Sequence, residues 1–392
     1  MTLPIDFSDR IKNLPPYLFA RIDEIKQEEL KKGKKLISLG IGDPDLPTPD
    51  FVIDRLARAA KNPANHQYPS YWGMLEFRKA VAKWYESRFG VQLSPESEVL
   101  ALIGSKEGIA HIPLAFINPG DAALIPDPGY PVYSVATSFA GGTPLYFPLK
   151  EENQYLPDFG KLESQIKKNR SKTKLLFLNY PNNPTSASAD LSFFKEVVSF
   201  AKKHALIVCH DNAYSEIYFE GKKQPSFLEA PGAKEIGCEF HSLSKTFNMT
   251  GWRVGFVVGN EKILKGLAQV KTNVDSGVFN ACQDAGIEAL ERYEPFCTEL
   301  RAIYQKRRDI LAPALETIGL RCKIPDATFY LWAKLPSGIK SEDFVLNLIR
   351  NKGIVSTPGN GFGTQGEGYV RFTLCSDIPV LKQVAEALGK SV

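Results

Sequence analysis

The sequence predicts an α/β fold, in which a mostly parallel sheet is covered by helices on both faces and a smaller α+β domain is attached. Three observations lead to this prediction. From about residue 95 onward, short apolar runs alternate with longer amphipathic segments. Most of the short runs are continuously apolar, as in strands that are buried on both faces. The last third of the chain combines helical and strand patterns in a different rhythm.

Seven short runs are the candidate strands of the large sheet: Val99–Ile103, Ala122–Ile125, Pro144–Phe147, Leu175–Leu178, Leu206–Cys209, Glu239–Ser242 and Gly255–Val258. Helical patterns separate several of them. Leu191–His204 is one such pattern, and Asp190 stands before it as a residue type that caps helices.

The last third contains four further candidate elements. Glu294–Leu315 is a long helix, expected to break or kink near Pro313. Phe329–Lys334 and Tyr369–Leu374 are candidate strands, and Ser341–Lys352 is a helix. The segment Pro15–Lys34 is a further helix that we expect to pack with them. We place the boundaries near residues 48 and 290: residues 1–48 form an arm and part of the small domain, 49–290 the large domain, and 291–392 the rest of the small domain.

Composition excludes several classes of protein. The 392 residues carry 48 basic and 44 acidic side chains, so no strong charge favours a nucleic-acid or membrane partner. No apolar stretch is long enough to span a bilayer, and the first residues lack the apolar run of a signal peptide. The six cysteines and five histidines show no metal-ligand spacing. We expect a cytoplasmic protein without a metal site.

Ligands of open α/β sheets bind beyond the carboxyl ends of the strands, so the residues after each run are the candidates for chemistry. Taken singly, each of these motifs is weak evidence for a binding site. Gly40-Ile41-Gly42 lacks the third glycine of a dinucleotide-binding fingerprint. An aspartate such as Asp211 commonly caps a helix, and Asn182-Asn183-Pro184 commonly forms a turn.

Together these residues fit the chemistry of pyridoxal 5′-phosphate (PLP). Lys245 stands among anion-binding residues and can react with the aldehyde of a phosphorylated cofactor. A carboxylate at Asp211 can hold the protonated pyridine nitrogen, which makes the ring an electron sink. Asn183 and Tyr214 can donate hydrogen bonds to the phenolic oxygen of the cofactor, and Tyr130 can stack on the cofactor ring. We expect His210 to support Asp211 rather than to act as a base.

At this point the residues resemble those of the fold-type I, class I aminotransferases, whose large domain binds PLP. The matching stretches are Tyr68-Pro-Ser-Tyr-Trp-Gly73, Tyr130, Asn182-Asn183-Pro184, Asp211-x-x-Tyr214, Ser242-x-Ser244-Lys245, Gly251-Trp252-Arg253 and Arg371. Within this family the chain most resembles bacterial LL-diaminopimelate aminotransferases. The supporting stretches are Leu14–Phe19, Leu39–Asp45, Gly104–Ile109, Ser244–Arg253, Asn273–Gly277 and Thr357–Gly363.

The resemblance implies a role for each residue. Lys245 would join the cofactor and move protons, with Asp211 and Tyr214 as its catalytic partners. The phosphate would be bound by Ser105, Lys106, Ser242, Ser244 and Arg253, and by Tyr68 from a second subunit of a homodimer with shared active sites. Arg371 would clamp the substrate α-carboxylate as a bidentate fork. The other substrate-binding residues would be Tyr17, Gly42, Tyr130, Asn183 and Asn280.

The implied substrates are small molecules, an amino acid and a 2-oxo acid. The implied reaction is LL-diaminopimelate:2-oxoglutarate amino transfer in lysine and peptidoglycan-precursor biosynthesis. The sequence departs from plant-type members at Tyr71, where they carry an acidic residue, and from many members at Phe247, where tyrosine is commoner. Several alternatives therefore stay open: an alanine-, aspartate- or aromatic-type aminotransferase, a PLP β-lyase, or a non-catalytic effector-binding domain.

Overall fold

The computed structural model of the chain describes residue 3, residues 5–12, residue 14, residues 19–169 and residues 172–389. The α-helices are α1 Asp9–Lys12, α2 Phe19–Lys31, α3 Asp50–Ala60, α4 Leu75–Phe89, α5 Ser105–Phe116, α6 Val132–Phe139, α7 Phe159–Lys168, α8 Leu191–His204, α9 Ala233–Ile236, α10 Leu243–Thr246, α11 Glu261–Val274, α12 Asn280–Glu291, α13 Tyr293–Thr317, α14 Ser341–Lys352 and α15 Ile378–Gly389. The strands are β1 Ile37–Ser38, β2 Val99–Leu102, β3 Ala122–Asp127, β4 Thr143–Pro148, β5 Thr173–Asn179, β6 Ile207–Asp211, β7 Gly237–Ser242, β8 Gly255–Gly259, β9 Arg321–Cys322, β10 Tyr330–Lys334, β11 Ile354–Val355, β12 Thr357–Pro358 and β13 Tyr369–Thr373.

A seven-stranded sheet in the order β2-β8-β7-β6-β5-β3-β4 forms the centre of the larger part. Its strands are the seven predicted apolar runs, and the predicted fold class is confirmed. Strand β8 is antiparallel to both of its neighbours, while the other pairs in the sheet are parallel.

Both faces of this sheet are covered, which explains why the strands are continuously apolar. Along β5, Leu175 and Phe177 pack into one core with α5 and α11. Leu176 and Leu178 pack into the opposite core with α4 and α8. Helix α8 begins after Asp190, whose Oδ1 accepts the amide hydrogen of Phe193 at 2.8 Å, as a capping residue does.

The smaller part of the protein has a core of its own, which is built around the antiparallel sheet β12-β13-β10-β9 and helices α13, α14 and α15. It also includes Ile22 and Ile25 of α2, and Tyr214 from the segment after β6. Of the break or kink expected near Pro313, a break is wrong, because α13 continues to Thr317. Leu315, which follows the proline, is buried in this core, and its packing supports the last turn, where proline removes a hydrogen bond.

Helix α2 ends earlier than the predicted helix. It is described from Phe19 and ends at Lys31, three residues before the predicted end, and residues 15–18 of the predicted helix lie outside the described residues. In the described part of the chain, no helix combines the length and the apolar character that crossing a membrane requires.

Candidate active site

The candidate site lies at the edge of the seven-stranded sheet where β2, β5, β6 and β7 end. Because β8 is reversed, it begins at this same edge. Gly255, its first residue, pairs with Leu102 at the end of β2 and with Ser242 at the end of β7. Residues that precede β8, such as Arg253, therefore meet residues that follow the parallel strands.

Asp211 is the last residue of β6 and is buried. Its Oδ2 accepts a 2.8 Å hydrogen bond from the hydroxyl of Tyr133, while its buried Oδ1 has no partner among the described residues. Burial raises the pKa of this carboxyl group, and the hydrogen bond from Tyr133 opposes that rise. A buried carboxylate oxygen without a donor is costly, so the site fits a ligand that brings one.

Glu239, a fully buried residue of β7, holds both residues that flank Asp211. It accepts hydrogen bonds from Nδ1 of His210 at 2.7 Å and from Nδ2 of Asn212 at 2.9 Å. The other ring nitrogen of His210 accepts the backbone N–H of Tyr180 at 3.2 Å, which leaves Nδ1 as the donor. His210 thus occupies a supporting position beside Asp211.

Further donors to Glu239 are the hydroxyl of Tyr85, Nε2 of His241 and the amide of Phe227. Burial alone would raise the pKa of Glu239. The hydrogen bonds from the two histidines outweigh burial and hold the pKa well below its ordinary value. Glu239 is therefore a buried carboxylate that is satisfied by donors on several elements.

Lys245 lies in the short helix α10, directly after β7. Its Nζ donates a 2.8 Å hydrogen bond to the carbonyl oxygen of Gly42. Burial lowers the pKa of the ammonium group, and the positive charges of Arg371 and Arg253 lower it further. These effects shift Lys245 toward the neutral amine, which is the nucleophilic form of lysine.

Four anion-binding candidates gather at the start of α5 and around β8. Gly104 precedes the helix with φ +93°, and Ser105 is the first helical residue. Nη2 of Arg253 donates to the carbonyl of Ile103 at 3.3 Å, and a Cβ at Gly104 would lie 2.3 Å from that nitrogen. Only glycine leaves room there. Ser242 precedes α10, Ser244 lies within it, and both are buried.

The first turn of α5 is tied to the rest of the protein by a buried lysine. Nζ of Lys271 lies 2.7 Å from Asp275 and 3.3 Å from Glu107, and Glu107 accepts the amide hydrogen of Ile103. These contacts fix the backbone just before Ser105. Lys106, which follows it, is exposed.

Arg371, on β13, is buried, and protein acceptors already occupy both ends of its fork. Nη1 donates to Oδ1 of Asn183 at 2.6 Å, and Nη2 donates to the carbonyl of Gly40 at 2.6 Å. The buried Nε has no partner among the described residues. Since Oδ1 of Asn183 is engaged, its Nδ2 group remains as the donor of that side chain.

Three tyrosines line the same region. The hydroxyls of Tyr214 and Tyr330 lie 3.0 Å apart. Burial raises the pKa of Tyr130 to about 12, with a further contribution from the charge of Asp211. Arg371 acts on the pKa of Tyr130 in the opposite direction, so Tyr130 lies within electrostatic reach of both charges.

The loop of residues 39–48 supplies the carbonyls that Arg371 and Lys245 contact. Arg307 of α13 anchors it through a bidentate ion pair with Asp45, with Nη1–Oδ1 at 2.6 Å and Nη2–Oδ2 at 2.8 Å. Gly42 has no room for a side chain, because its Cβ would lie 1.9 Å from the hydroxyl oxygen of Tyr330.

Two predicted residues are not brought into this cluster. Tyr68 is 88% exposed in the single chain. Asn280 begins α12, where its Oδ1 accepts from Nε2 of Gln283 at 3.3 Å. Tyr17 lies outside the described residues.

Sequence reasoning missed Tyr133, Tyr330 and Glu239. Tyr133 stands three residues after Tyr130, one helical turn away, and that spacing was a usable signal. Tyr330 is at the start of a predicted strand, where it looked like a core residue. Glu239 begins a predicted strand, and a charged residue in a buried strand is the sequence signal that could have identified it.

The residues present fit PLP on three observations of this structure. The unpaired Oδ1 of Asp211 matches a protonated ring nitrogen. The guanidinium of Arg253 lies directly against Gly104 at the start of α5, and this positive charge beside a helix N-terminus suits a phosphate. Lys245, a half-buried side chain, lies in the chain between Asp211 and Arg253.

Comparisons with known proteins agree with this chemistry. Residues 34–388 match the family model for aminotransferase class I and II. LL-diaminopimelate aminotransferases of Maridesulfovibrio salexigens and Aquifex aeolicus are each 55% identical to this chain, and each alignment covers 98% of both sequences. The substrate-bound structure of BacF from Bacillus subtilis superposes with a TM-score of 0.92 at 38% identity and covers 99% of this chain and 98% of BacF.

A probable N-succinyldiaminopimelate aminotransferase from Thermus thermophilus has a TM-score of 0.89 at 38% identity, covering 95% of this chain and 99% of its own. The similarity therefore extends across both cores and not over the large sheet alone. Class I and II aminotransferases are PLP-dependent enzymes that act on amino acids and 2-oxo acids. The chain belongs to the class I and II aminotransferase family.

Proposed function

We propose that the chain is a PLP-dependent LL-diaminopimelate aminotransferase, with 2-oxoglutarate as the amino acceptor and tetrahydrodipicolinate as the product. This reaction serves the biosynthesis of lysine and of peptidoglycan precursors. The observation that carries the proposal is the 51–55% identity, over 94–98% of the chain, to relatives that bear this name. The site geometry supports the class of chemistry.

When bound, PLP supplies an electron sink that stabilises negative charge at the substrate α-carbon. Asp211 would hold the ring nitrogen through Oδ1, which has no partner among the described residues, while Tyr133 occupies Oδ2. Tyr214 and Nδ2 of Asn183 would donate to the phenolic oxygen, and Tyr130 would pack on the ring. The phosphate would be bound by Ser105, Lys106, Ser242, Ser244 and Arg253.

Lys245 moves the proton. Burial and two neighbouring arginines shift Lys245 toward its neutral amine, and the lone pair of Nζ can then accept the proton from the substrate α-carbon. A neutral amine can keep its N–H hydrogen bond to the carbonyl of Gly42 while the lone pair accepts that proton. Gly42 thereby takes part in the site through its backbone.

Arg371 binds the α-carboxylate of the amino donor, and then that of the 2-oxo acid. A carboxylate replaces the carbonyl of Gly40 with a charged, bidentate acceptor. The far end of diaminopimelate carries a second ammonium and a second carboxylate. In place of an acidic residue, we propose that Tyr17, Tyr71 and the backbone at Gly42 contact the distal ammonium.

We also propose a homodimer with shared active sites. Tyr68 is 88% exposed, and Ile41, at 66%, is exposed next to Gly42. Tyr71 and Phe279 are partly exposed apolar side chains in the neighbouring loops. A second copy of the chain would cover these residues and place Tyr68 at its phosphate and Asn280 at its substrate.

Two further proposals concern the domain boundaries and the location of the protein in the cell. We propose domains of residues 1–48 and 291–392 together, and of residues 49–290, on the basis of the separate cores. The cores do not follow these boundaries at every residue, since Tyr214, which lies within residues 49–290, packs into the core of the smaller domain. A cytoplasmic location fits a biosynthetic enzyme of this kind.

The substrate is tested by giving the PLP-loaded protein 2-oxoglutarate and single amino donors: LL- and meso-diaminopimelate, aspartate, alanine and phenylalanine. We expect clear turnover of the LL isomer, weak turnover of the meso isomer and little of the others. A polar pocket left unpaired by a shorter donor can discriminate by up to about 10⁴-fold, and the absence of an acid at Tyr71 should narrow that margin. If aspartate, alanine or phenylalanine outcompetes LL-diaminopimelate, the substrate is wrong and only the amino-transfer chemistry stands.

A further inference from the structure

Tyr330 contacts two residues of the candidate site, Tyr214 on the cofactor side and Arg371 on the substrate side. It is a buried residue at the start of β10. Its hydroxyl lies 3.0 Å from that of Tyr214, which is expected to contact the cofactor. The guanidinium carbon of Arg371, expected to bind the substrate, lies 4.2 Å from the centre of its ring.

The surroundings of Tyr330 hold it in this place. The carbonyl of Tyr330 accepts the hydroxyl of Ser186 at 2.9 Å, and its N–H donates to Oγ1 of Thr328 at 3.1 Å. The Cα of Gly42 approaches so closely that even a methyl group there would meet the hydroxyl of Tyr330. The hydroxyl therefore has little freedom to leave Tyr214.

The direction of the hydrogen bond between the two tyrosines follows from the role of Tyr214. A hydroxyl has one proton, and Tyr214 needs it for the phenolic oxygen of the cofactor. Its own oxygen then accepts the proton of Tyr330. Hydrogen bonds in such a chain polarise one another, so a stronger donor at Tyr330 makes Tyr214 a stronger donor as well.

Arg371 controls how strong that donor is. A cation over an aromatic ring draws electron density from it and favours loss of the phenolic proton. Accordingly, burial raises the pKa of Tyr330 and the charge of Arg371 opposes the rise. A carboxylate that binds Arg371 offsets this charge and weakens Tyr330 as a donor.

We propose that Tyr330 is a positioning residue that couples the occupancy of Arg371 by a carboxylate to the hydrogen bond that Tyr214 makes. The proposal rests on the proposed function, because it needs PLP against Tyr214. It adds a second route to the direct contact of Arg371 with Asn183. The other titratable groups that act on Tyr330 are the carboxyl group of Asp211 and the thiol of Cys375. Burial raises the pKa of the Cys375 thiol to about 12, so this thiol stays neutral.

The proposal predicts a spectroscopic change of known sign. Donors to the phenolic oxygen favour the form of the bound cofactor that has lost a proton. Tyr330→Phe removes one link of the donor chain. The pKa at which the visible absorbance of the bound cofactor changes should therefore rise, by about half a pH unit.

The coupling itself is tested with pimelate, which has the two carboxylates of the substrate and no amino group. In the wild-type protein, pimelate should raise the absorbance pKa by offsetting Arg371. In Tyr330→Phe that rise should fall to about half, because the route through Asn183 remains. In a Tyr214→Phe background, adding Tyr330→Phe should change nothing further.

Tyr304→Phe is the matched control. Tyr304 is a buried tyrosine of the same core, and its hydroxyl lies 4.0 Å from Sγ of Cys375. This variant should titrate as the wild type does, and thermal melting shows whether each variant is folded. Equal absorbance pKa values and equal pimelate responses in folded wild type and Tyr330→Phe would overturn the coupling. A wild-type protein that gains no PLP absorbance would instead overturn the proposed function.

Discussion

Nη2 of Arg371 donates a 2.6 Å hydrogen bond to the carbonyl oxygen of Gly40. In the proposed function, the substrate carboxylate takes the place of this neutral backbone acceptor. The exchange favours the carboxylate because it brings a negative charge and can accept from the guanidinium in a bidentate way, which a single carbonyl cannot. Binding at Arg371 is therefore a replacement of acceptors and not the filling of an open fork.

Arg371→Lys should raise KM for both the amino donor and 2-oxoglutarate by about 100-fold, because an ammonium cannot form the bidentate contact. The cofactor absorbance should survive, since Asp211 and Lys245 are untouched. Arg321→Lys, at the exposed first residue of β9, is the control and should match the wild type. Unchanged KM values for both substrates would remove Arg371 from the site.

Lys245→Ala should abolish the absorbance of the lysine-linked cofactor and reduce amino transfer to a trace. PLP can still bind through its phosphate, because Arg253 and the start of α5 remain. The measurement is an absorbance spectrum with a steady-state rate, and the exposed Lys262 of α11 provides a matched lysine-to-alanine control. Full turnover in Lys245→Ala would contradict the mechanism.

The rate at which PLP joins the apoprotein should increase with pH, with a midpoint below the ordinary lysine pKa of 10.5. The reason is that burial lowers the pKa of Lys245, and only its neutral amine attacks an aldehyde. Stopped-flow absorbance over a pH series measures the midpoint, and Lys245→Ala gives the background. A midpoint at or above 10.5 would show that the amine is not buried as described.

Mixing Lys245→Ala with Tyr68→Ala should restore about a quarter of wild-type activity once the subunits have exchanged. Half of the dimers are then mixed, and each mixed dimer has one intact site if Tyr68 serves its partner. If Tyr68 serves its own chain, both sites of the mixed dimer stay defective and no activity returns. Mixing Lys245→Ala with the wild type calibrates the exchange.

Glu239→Gln should destabilise the protein by about 3 kcal/mol near neutral pH, because an amide cannot accept from all of the buried donors around it. Urea unfolding measures the difference, and the exposed Glu152→Gln is the control.

The pH dependence of that difference has a definite sign. Glu239 has a folded-state pKa well below its ordinary value of 4.5. Its contribution is complete above pH 4.5 and is lost as the pH falls toward the folded-state pKa. The two proteins should therefore converge in stability only in acid. A difference that widens below pH 4.5 would contradict the assignment of an ionised Glu239.

The sequence could predict the strands because each one is an apolar run between two covered faces, and Asp211 and Ser242 follow directly as strand ends. The same periodicity could not reveal Tyr330, since its partner Tyr214 lies 116 residues away and the two meet only because the segment after β6 packs into the core of the smaller part. Proline chemistry predicted a break at Pro313, but tertiary burial of the following turn overrode it. The partner contacts expected of Tyr68 belong to an assembly and not to one chain.

The reversal of β8 also constrains how this chain can vary in length. A parallel connection would need a long crossover to return to the same edge. Here the peptide 243–254 leaves Ser242 and returns to Gly255, and those two residues pair with each other. Lys245 and Arg253 are thus carried on one closed loop whose ends are joined. Inserting or deleting a residue in this loop would displace the amine and the anion-binding guanidinium together, so tolerated insertions should map elsewhere on the surface.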